Sequence, residues 1–273
     1  MPDVMRSADT PLVDCHFHLF DKQLPFVEKP RHTPDYDFTA EQVLAIFDKH
    51  GIQYGEIAGA SLYGTYNDHV IRACRTYKRL RGTIIADPSL DLHTMEQMSK
   101  DGINGVRLVW ISLSDDRLPN IESYEWKRLL RRIRDLDWHI HMHVGPGRLP
   151  KIWPTVEASG VKVVLDHFGY PDPKLGLECP TFQTTLRAVR TGRAWVKLSA
   201  GYRMGRENMG PYAAELLRVA GPPRLLWGSD APFASFEGKV TYEDALEDFR
   251  TLIPDPDARR IIGADTPLKL YFS

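Results

Sequence analysis

The chain has 273 residues, of which 42% are hydrophobic and 26% are charged, and its 35 basic and 36 acidic residues give a formal net charge of -1. A balance this close to neutrality argues against nucleic acid or an anionic membrane surface as a partner. No window approaches the roughly 18 to 20 consecutive apolar residues of a membrane span, and the N-terminal MPDVMRSADTP lacks the apolar core of a signal peptide.

The cysteine pattern points to a reducing compartment. Cys15, Cys74 and Cys179 are an odd number at unrelated spacings, so we expect neither a disulfide framework nor a cysteine metal site. We therefore expect a cytoplasmic protein. The sequence leaves open whether it is a monomer or a homo-oligomer.

Short apolar runs rich in β-forming residues recur along the chain, and most precede a stretch with helical periodicity. The helical stretches include TAEQVLAIFDKHG, with Thr39 as N-cap. In ESYEWKRLLRRIRDL, one face carries Trp126, Leu129, Leu130 and Ile133. The eight predicted strands are 12–16, 54–59, 82–87, 105–110, 139–144, 161–167, 194–199 and 224–230.

Strands that alternate with helices predict a parallel sheet with right-handed crossovers. Eight such units in 273 residues favour an α/β fold of the closed (β/α)8 TIM barrel type, with a single domain over residues 1–273. A doubly wound open sheet is the alternative, because it produces a similar series of elements. Long loops are predicted at 112–120 and 200–210, after strands four and seven.

Polar residues fall at the ends of the predicted strands, where barrels of this class place their active sites. Side chains two apart on a strand share a face, so we expect His16 and His18 to face the same mouth. Several imidazoles and one carboxylate there would suit zinc, manganese or iron, and an aspartate beside a water can act as a base. The candidates are His16, His18, Arg107, His143, His167, Lys197, Ser199 and Asp230.

Structural roles compete with these functional ones. A buried histidine is more often a hydrogen-bonded part of the core than a ligand, and this is our expectation for His139 and His141. Arg107 lies inside an apolar strand, where its charge needs a carboxylate of the protein or of a ligand. Arg203 either contacts a ligand or is solvated. Gly228 is expected to permit a tight turn before Asp230.

The segments VDCHFHLFD, RHTPDYD, ASLYGTYND, GVRLVW, LDHFGYPDP, WVKLSAGYR and LLWGSDAPF run in order from residue 13 to residue 233. This ordered set resembles the amidohydrolase superfamily in its amidohydrolase-2 branch, and within it the 2-pyrone-4,6-dicarboxylate lactonases and related sugar-acid lactonases. The resemblance covers nearly the whole chain. It implies a (β/α)8 barrel that hydrolyses the ester bond of a small carboxylated lactone.

The resemblance also implies roles for single residues. His16 and His18 match the strand-one pair of the family, and His167 matches its strand-six histidine. Asp230 matches the strand-eight aspartate that activates the hydrolytic water. The residues implied or expected to bind substrate are Arg107, Arg203, Ser61, Tyr63, His32 and Ser199.

Two departures from the pyrone lactonases bear on the cofactor and the substrate. Those enzymes work without a metal and carry a tyrosine on strand five, where this chain has His143, the residue of metal-dependent members. The alternatives are therefore one divalent ion, zinc or manganese, held by His16, His18, His143 and Asp230, or metal-free catalysis. The loop after strand four reads ISLSDD, acidic where the pyrone enzymes carry arginine, which leaves other acidic lactones open as substrates.

The leading hypothesis is an acidic lactone hydrolase, in which Asp230 deprotonates water and histidines or one metal polarise the carbonyl. One alternative keeps the fold and the residues but changes the reaction, to a metal-dependent non-oxidative decarboxylase of an aromatic or unsaturated acid. Another is a non-catalytic binder of a sugar acid or aromatic acid. A binder has no need of a carboxylate base, so His16, His18, His167 and Asp230 together favour an enzyme.

Overall fold

The computed structural model describes residues 10–273, and residues 1–9 of the predicted domain lie outside the described part. Eight parallel strands follow one another in sequence order around one sheet, with helices between them. A doubly wound sheet would reverse its strand order at a switch point, and this one does not. The predicted single (β/α)8 TIM barrel is confirmed.

Each predicted strand overlaps an observed one, and no strand end differs by more than three residues. The strands are β1 Val13–Phe17, β2 Tyr54–Ile57, β3 Leu80–Ile84, β4 Ile103–Val109, β5 His139–His143, β6 Lys162–Leu165, β7 Ala194–Leu198 and β8 Leu225–Trp227. The helices are α1 Ala40–His50, α2 Asp68–Thr76, α3 Leu92–Lys100, α4 Tyr124–Asp135, α5 Leu149–Ser159, α6 Pro180–Arg190, α7 Met209–Ala220, α8 Tyr242–Leu252, α9 Pro256–Arg260 and α10 Thr266–Tyr271.

Local sequence signals set the helix ends. The Thr39 side chain accepts a hydrogen bond from the Gln42 N–H, and the Gln42 side chain accepts one from the Thr39 N–H. This capping box satisfies backbone donors that the first helical turn leaves free. Helix α1 ends at Gly51, whose φ of 78° is the left-handed conformation that glycine adopts without a steric cost. The apolar face predicted for α4 is buried.

The barrel closes between β8 and β1 through the residues that follow β8. The Asp230 N–H donates to the His16 carbonyl over 2.7 Å, and the His18 N–H donates to the Ala231 carbonyl over 2.8 Å. The Asp14 carboxylate, buried beneath them, accepts from the Ser229 N–H at 3.0 Å. Because these bonds join the end of β8 to the end of β1, barrel closure itself brings Asp230 beside His16 and His18.

Gly228 allows this closure, for a reason that differs from the predicted tight turn. A Cβ atom at position 228 would lie 2.5 Å from the His16 Cβ and 2.9 Å from the backbone nitrogen of His16. Contacts that short do not occur between real side chains, so any other residue would push β8 away from β1. The glycine is needed for a close approach of two strands.

The main core lies between the strands and the surrounding helices and includes Cys74 and Cys179, whereas Cys15 belongs to a smaller cluster with Val164, Leu226 and Tyr271. All three cysteines are buried and free. Among residues 10–273, no helix combines the length and the hydropathy that a membrane span requires.

Candidate active site

Two candidate residues at strand ends have unusual backbone conformations. His167 follows β6 with a φ of 47°, and Asp230 follows β8 with a φ of 67°. Non-glycine residues in this left-handed region cost of order 1 to 3 kcal/mol, and such residues cluster at functional sites. The turn at His167 places its ring 4.8 Å from the His16 ring, between centroids, and its Nδ1 lies 2.8 Å from the Ser199 hydroxyl.

A pocket opens at this end of the barrel. His16 is fully buried, and its ring contacts those of His18 and His167, which line the pocket. The lining residues are His18, Phe20, Arg31, His32, Ala60, Ser61, Leu62, Arg107, Val109, His143, His167, Arg203, Asp230 and Ala234.

The two carboxylate oxygens of Asp230 have different surroundings. Oδ2 accepts hydrogen bonds from the Tyr202 hydroxyl at 2.6 Å and from Arg203 Nε at 2.7 Å. Oδ1 lies 3.4 Å from His16 Nε2 and 3.5 Å from His18 Nε2. Burial raises the pKa of this carboxyl, but the charge of Arg203 outweighs burial and holds the pKa well below its usual value. Asp230 is therefore ionised.

The hydrogen-bond partners of the two imidazoles determine their tautomers. His18 Nδ1 lies 2.7 Å from the Ala58 carbonyl oxygen, which can only accept, so Nδ1 carries the hydrogen. Burial lowers the pKa of His18 to about 4, so its ring is neutral and Nε2 keeps a lone pair. His16 Nδ1 lies 3.0 Å from Asp166 Oδ1, a carboxylate oxygen that also only accepts. A neutral His16 that carries its hydrogen toward Asp166 likewise has its lone pair at Nε2.

Three hydrogen-bond acceptors thus meet at one place, and a cation fits between them. His16 Nε2 has no hydrogen-bond partner among the described residues. His16, His18 and Asp230 each offer a ligand atom within 4.8 Å of the others. Two ligands of a tetrahedral zinc lie roughly 3.4 Å apart when each bond is about 2.0 to 2.1 Å, which agrees with the 3.4 and 3.5 Å measured from Asp230 Oδ1. The donor set of imidazole nitrogen and carboxylate oxygen also suits zinc or manganese.

Two of the three arginines that line the pocket are held by other groups of the protein. Arg107 donates from Nη2 to Asp166 Oδ2 and from Nη1 to the Gly59 carbonyl, both over 2.9 Å. Arg203 donates from Nε to Asp230, and from Nη2 to the Ala234 carbonyl over 3.1 Å. The protein carboxylate that Arg107 required is therefore present.

Arg31 is the third arginine of the pocket, and it has no hydrogen bond or ion pair with the rest of residues 10–273. Desolvation at the pocket and the positive charges of Arg107 and Arg203 lower the pKa of its guanidinium. Its five donors are free for a ligand.

The amidohydrolase-2 family model, described as amidohydrolase, matches residues 13–272. The chain belongs to the amidohydrolase family. The family recognised from the strand-end motifs is thereby confirmed.

Several relatives of this amidohydrolase have named activities. It is 27% identical to a 2-pyrone-4,6-dicarboxylate hydrolase of Comamonas testosteroni, over 95% of this chain and 90% of the relative. It is 28% identical to a 4-sulfomuconolactone hydrolase of Rhizobium radiobacter, over 94% of this chain and 89% of the relative. A protein of Acinetobacter baumannii, provisionally named a 2-pyrone-4,6-dicarboxylic acid hydrolase and solved with citric acid, is 29% identical, with a TM-score of 0.90 and coverage of 96% and 99% of the two chains.

More distant structures share the fold of this amidohydrolase. One from Burkholderia multivorans holds zinc and is 13% identical, with a TM-score of 0.77 over 96% of this chain and 99% of its own. A dihydroxybenzoic acid decarboxylase of Polaromonas holds manganese and is 16% identical, with a TM-score of 0.63 over 96% of this chain and 97% of its own.

His143 differs from the other three metal ligands predicted for the amidohydrolase, because it is not part of the close group formed by His16, His18 and Asp230. Its ring lies 5.0 Å from the His167 ring and 5.1 Å from the Tyr170 ring, between centroids. Both of its ring nitrogens are buried and have no hydrogen-bond partner in the part of the chain that is described. Since His143 lines the pocket, a ligand or water is the available partner.

The other residues predicted to bind substrate are divided between the pocket and its surroundings. Ser61 and His32 line the pocket. Tyr63 and Ser199 are not among the lining residues. The Tyr63 hydroxyl donates to the Asp21 carbonyl at 3.0 Å, and Ser199 contacts His167. The acidic residues of the ISLSDD segment also lie outside the lining, and Asp115 pairs instead with Arg148 at 3.4 Å.

Sequence reasoning missed three residues of this site. Asp166 contacts His16 and Arg107 from the position just before His167, and the dipeptide DH at the end of a strand was the available signal. Tyr202 and Arg31 lie in segments that were recognised, YR at 202–203 and RH at 31–32. Nothing in those segments showed that Tyr202 would bind Asp230 or that Arg31 would be left without a partner.

Proposed function

We propose that this amidohydrolase opens a small carboxylated lactone by hydrolysis. The observation that carries the proposal is that two features occur together at one pocket. An acceptor cluster of His16, His18 and Asp230 lies next to lining arginines, of which Arg31 is unpaired. The cluster suits activation of water and polarisation of a carbonyl, whereas the arginine suits a substrate carboxylate. The named activities of the relatives agree with this combination.

Asp230 is the proposed general base. Its Oδ1 is the oxygen that no donor of the protein occupies, so a water placed there can lose a proton to it as the water oxygen attacks the lactone carbonyl. Tyr202 and Arg203 hold Oδ2 and thereby fix the direction of Oδ1. After the ester bond breaks, the same carboxyl can return the proton to the leaving oxygen.

The negative charge that develops on the carbonyl oxygen needs an electrophile. His16, His18 and Asp230 would hold a zinc or manganese ion, with His143 available beside His167 as a further ligand. When bound, such an ion supplies Lewis-acid polarisation of the carbonyl. His167 is the proposed second group: burial lowers its pKa to about 3, so the ring is neutral. With Nδ1 accepting from the Ser199 hydroxyl, its Nε2–H can donate to the substrate.

Arg31 is the proposed main contact of the substrate carboxylate, with Arg203 and Arg107 adding positive charge behind it. Arg107 and Arg203 already donate hydrogen bonds to Asp166 and Asp230, respectively. Arg31 can present its guanidinium fork to a carboxylate. His32 and Ser61 line the same pocket and can donate to remaining oxygens of the substrate. The substrate class is therefore a lactone that carries at least one carboxylate.

The test is an assay of the purified protein against carboxylated lactones, matched neutral lactones and aromatic acids, with acid release and CO2 followed separately. We expect acid release without CO2 from a carboxylated lactone, and no release by the Asp230→Asn variant. Production of CO2 from an aromatic acid would replace the lactonase with the decarboxylase alternative. Binding without either product would make the protein a binder. Metal analysis before and after chelation, with zinc and manganese added back, distinguishes metal-dependent from metal-free catalysis.

A further inference from the structure

Asp166 is a fully buried carboxylate, and four side chains surround it. Oδ1 lies 3.0 Å from His16 Nδ1 and also contacts His141 Nε2, while Lys197 Nζ lies 3.8 Å away. Oδ2 accepts from Arg107 Nη2 at 2.9 Å. None of these partners belongs to the same strand as Asp166, so the carboxylate links four strands of the barrel.

Two of these partners face the proposed reaction site. Arg107 lines the pocket, and the Nε2 atom of His16 belongs to the acceptor cluster with Asp230. Asp166 is not itself a lining residue. Its carboxylate lies behind the lining, close to ligand atoms of His16 and His167.

Lys197 is the competing partner of His16. Its Nζ lies 3.4 Å from His16 Nδ1, and a lysine ammonium can only donate. If that contact determined the tautomer, His16 would carry its hydrogen on Nε2 and would turn a donor toward Asp230. The distance from His16 Nδ1 to Asp166 Oδ1, 3.0 Å, is shorter than its distance of 3.4 Å to Lys197 Nζ. Lys197 also approaches His141 Nε2 more closely, at 2.9 Å. The shorter distance to Asp166 and the closer contact of Lys197 with His141 favour Asp166 as the partner of the His16 Nδ1 hydrogen.

We propose that Asp166 is a positioning residue that fixes His16 as the Nδ1–H tautomer and anchors that arrangement to Arg107 in the pocket wall. The fixed tautomer leaves the His16 Nε2 lone pair available to the acceptor cluster. The use of that cluster in lactone hydrolysis rests on the proposed function. The tautomer itself does not, because it can be measured without a substrate or a metal.

An asparagine at position 166 would break this arrangement without changing its size. The amide offers one acceptor oxygen where the carboxylate offers two, and its nitrogen is a donor. Arg107 can only donate, so it would claim the amide oxygen and turn the NH2 group toward His16 Nδ1. His16 would then have to accept at Nδ1 and carry its hydrogen on Nε2.

The experiment is 15N NMR of the imidazole nitrogens in the full-length protein, with His16 assigned by the signals that disappear in His16→Gln. We expect Nδ1–H in the wild type and a shift to Nε2–H in Asp166→Asn. Zinc affinity, measured by competition with a chromophoric chelator, should fall about tenfold or more in Asp166→Asn, as for other partners that orient histidine ligands.

Glu56→Gln is the matched control. Glu56 is also a fully buried acidic side chain of the barrel, but burial raises its pKa to about 8, its hydrogen bond comes from Asn104 Nδ2 at 3.2 Å, and it makes no hydrogen bond or ion pair with His16 or Arg107. Its replacement should leave both the tautomer and the zinc affinity unchanged. A shift in this variant equal to that in Asp166→Asn would mean that replacing any buried acidic side chain of the barrel disturbs His16, and the proposal would fail.

Two other results would overturn the proposal. One is a wild-type spectrum with the His16 hydrogen on Nε2, which needs no variant and decides the matter even if Asp166→Asn does not fold. The other is a folded Asp166→Asn protein that keeps the Nδ1–H tautomer. A wild type that has the expected tautomer but binds no zinc and opens no lactone would contradict the proposed function and leave the role of Asp166 intact.

Discussion

The two buried carboxylates at the ends of β6 and β8 have opposite surroundings. Asp166 is contacted by the protein at both oxygens, by Arg107 at Oδ2 and by the His16 and His141 rings at Oδ1. Asp230 has donors only at Oδ2, from Tyr202 and Arg203, while Oδ1 faces the lone pairs of two imidazoles. Both pKa values lie well below the usual value for aspartate, because His141, His16 and Arg107 outweigh burial at Asp166 and Arg203 outweighs it at Asp230.

Charge state alone therefore does not distinguish the two residues. A buried carboxylate that does not line the pocket and whose two oxygens both contact the protein is not presented to a substrate, so it acts on the structure around it. A carboxylate with one oxygen unsatisfied and adjacent to a pocket can take a proton or bind a cation. The comparison assigns reaction chemistry to Asp230 and positioning to Asp166.

The largest expected effect is that of Asp230→Asn on turnover. The amide is nearly isosteric but cannot accept the proton of the attacking water, and loss of a general base typically costs 10²-fold to 10⁴-fold. We expect kcat to fall within or beyond that range while the circular dichroism spectrum is retained. A folded variant with more than about a tenth of wild-type activity would remove Asp230 from the mechanism.

Asp166→Asn should lower the free energy of unfolding more than Asp230→Asn does. Breaking a buried pair costs about 3 to 5 kcal/mol, and Asp166→Asn disturbs such a pair with Arg107. Asp230→Asn should cost less, about 1 to 2 kcal/mol, because Arg203 is 15% exposed and can recover hydration. Urea unfolding of both variants measures the difference. Equal losses of unfolding free energy would mean that the two aspartates contribute equally to stability.

Arg31→Met should separate carboxylated from neutral substrates. A charge-assisted hydrogen bond is worth roughly 1.5 to 3 kcal/mol, so kcat/KM for a carboxylated lactone should fall about tenfold to a hundredfold. The neutral analogue should change little, since Arg31 makes no hydrogen bond or ion pair with another residue of the described chain. Arg206→Met is the control, because Arg206 pairs with Asp248 at 3.0 Å and is not a lining residue. Similar losses for both substrates would place the carboxylate elsewhere.

His69 provides a buried, unpartnered imidazole outside the pocket against which the site can be compared. Both of its ring nitrogens lack a partner in the described chain, and burial lowers its pKa to about 4. The unfolded histidine has a pKa of about 6.5, so it takes up its proton first as the pH falls. The contribution of His69 to the free energy of unfolding is therefore fully present above pH 6.5 and is lost as the pH drops toward 4. Protonation of His69 should lower the free energy of unfolding of the wild type by about 2 kcal/mol between pH 7 and pH 4.5. We expect His69→Phe to abolish this part of the pH dependence. An unchanged pH profile would contradict burial as the cause.

The strand-end histidines could be predicted because two simple rules place them. The period of two along a strand puts His16 and His18 on one side, and parallel strands of a barrel present their carboxyl ends at one mouth. The same rules gave the places of His167 and Asp230, and apolar periodicity predicted the buried face of α4. The fourth predicted ligand, His143, also lies at that mouth, but the rules say nothing of the distances between side chains, and it is not in the close group.

The sequence by itself determined the eight strand and helix units, the family and the residue types at the strand ends, because hydrophobic period and local motifs are properties of neighbouring residues. Only the tertiary structure decided how those side chains pair. The bonds of Arg107 to Asp166 and of Arg203 and Tyr202 to Asp230 join residues 59, 27 and 28 positions apart. Which guanidinium remains free, and which carboxylate oxygen stays unsatisfied, depends on distances between side chains of different strands and loops, and those distances exist only once the barrel has closed.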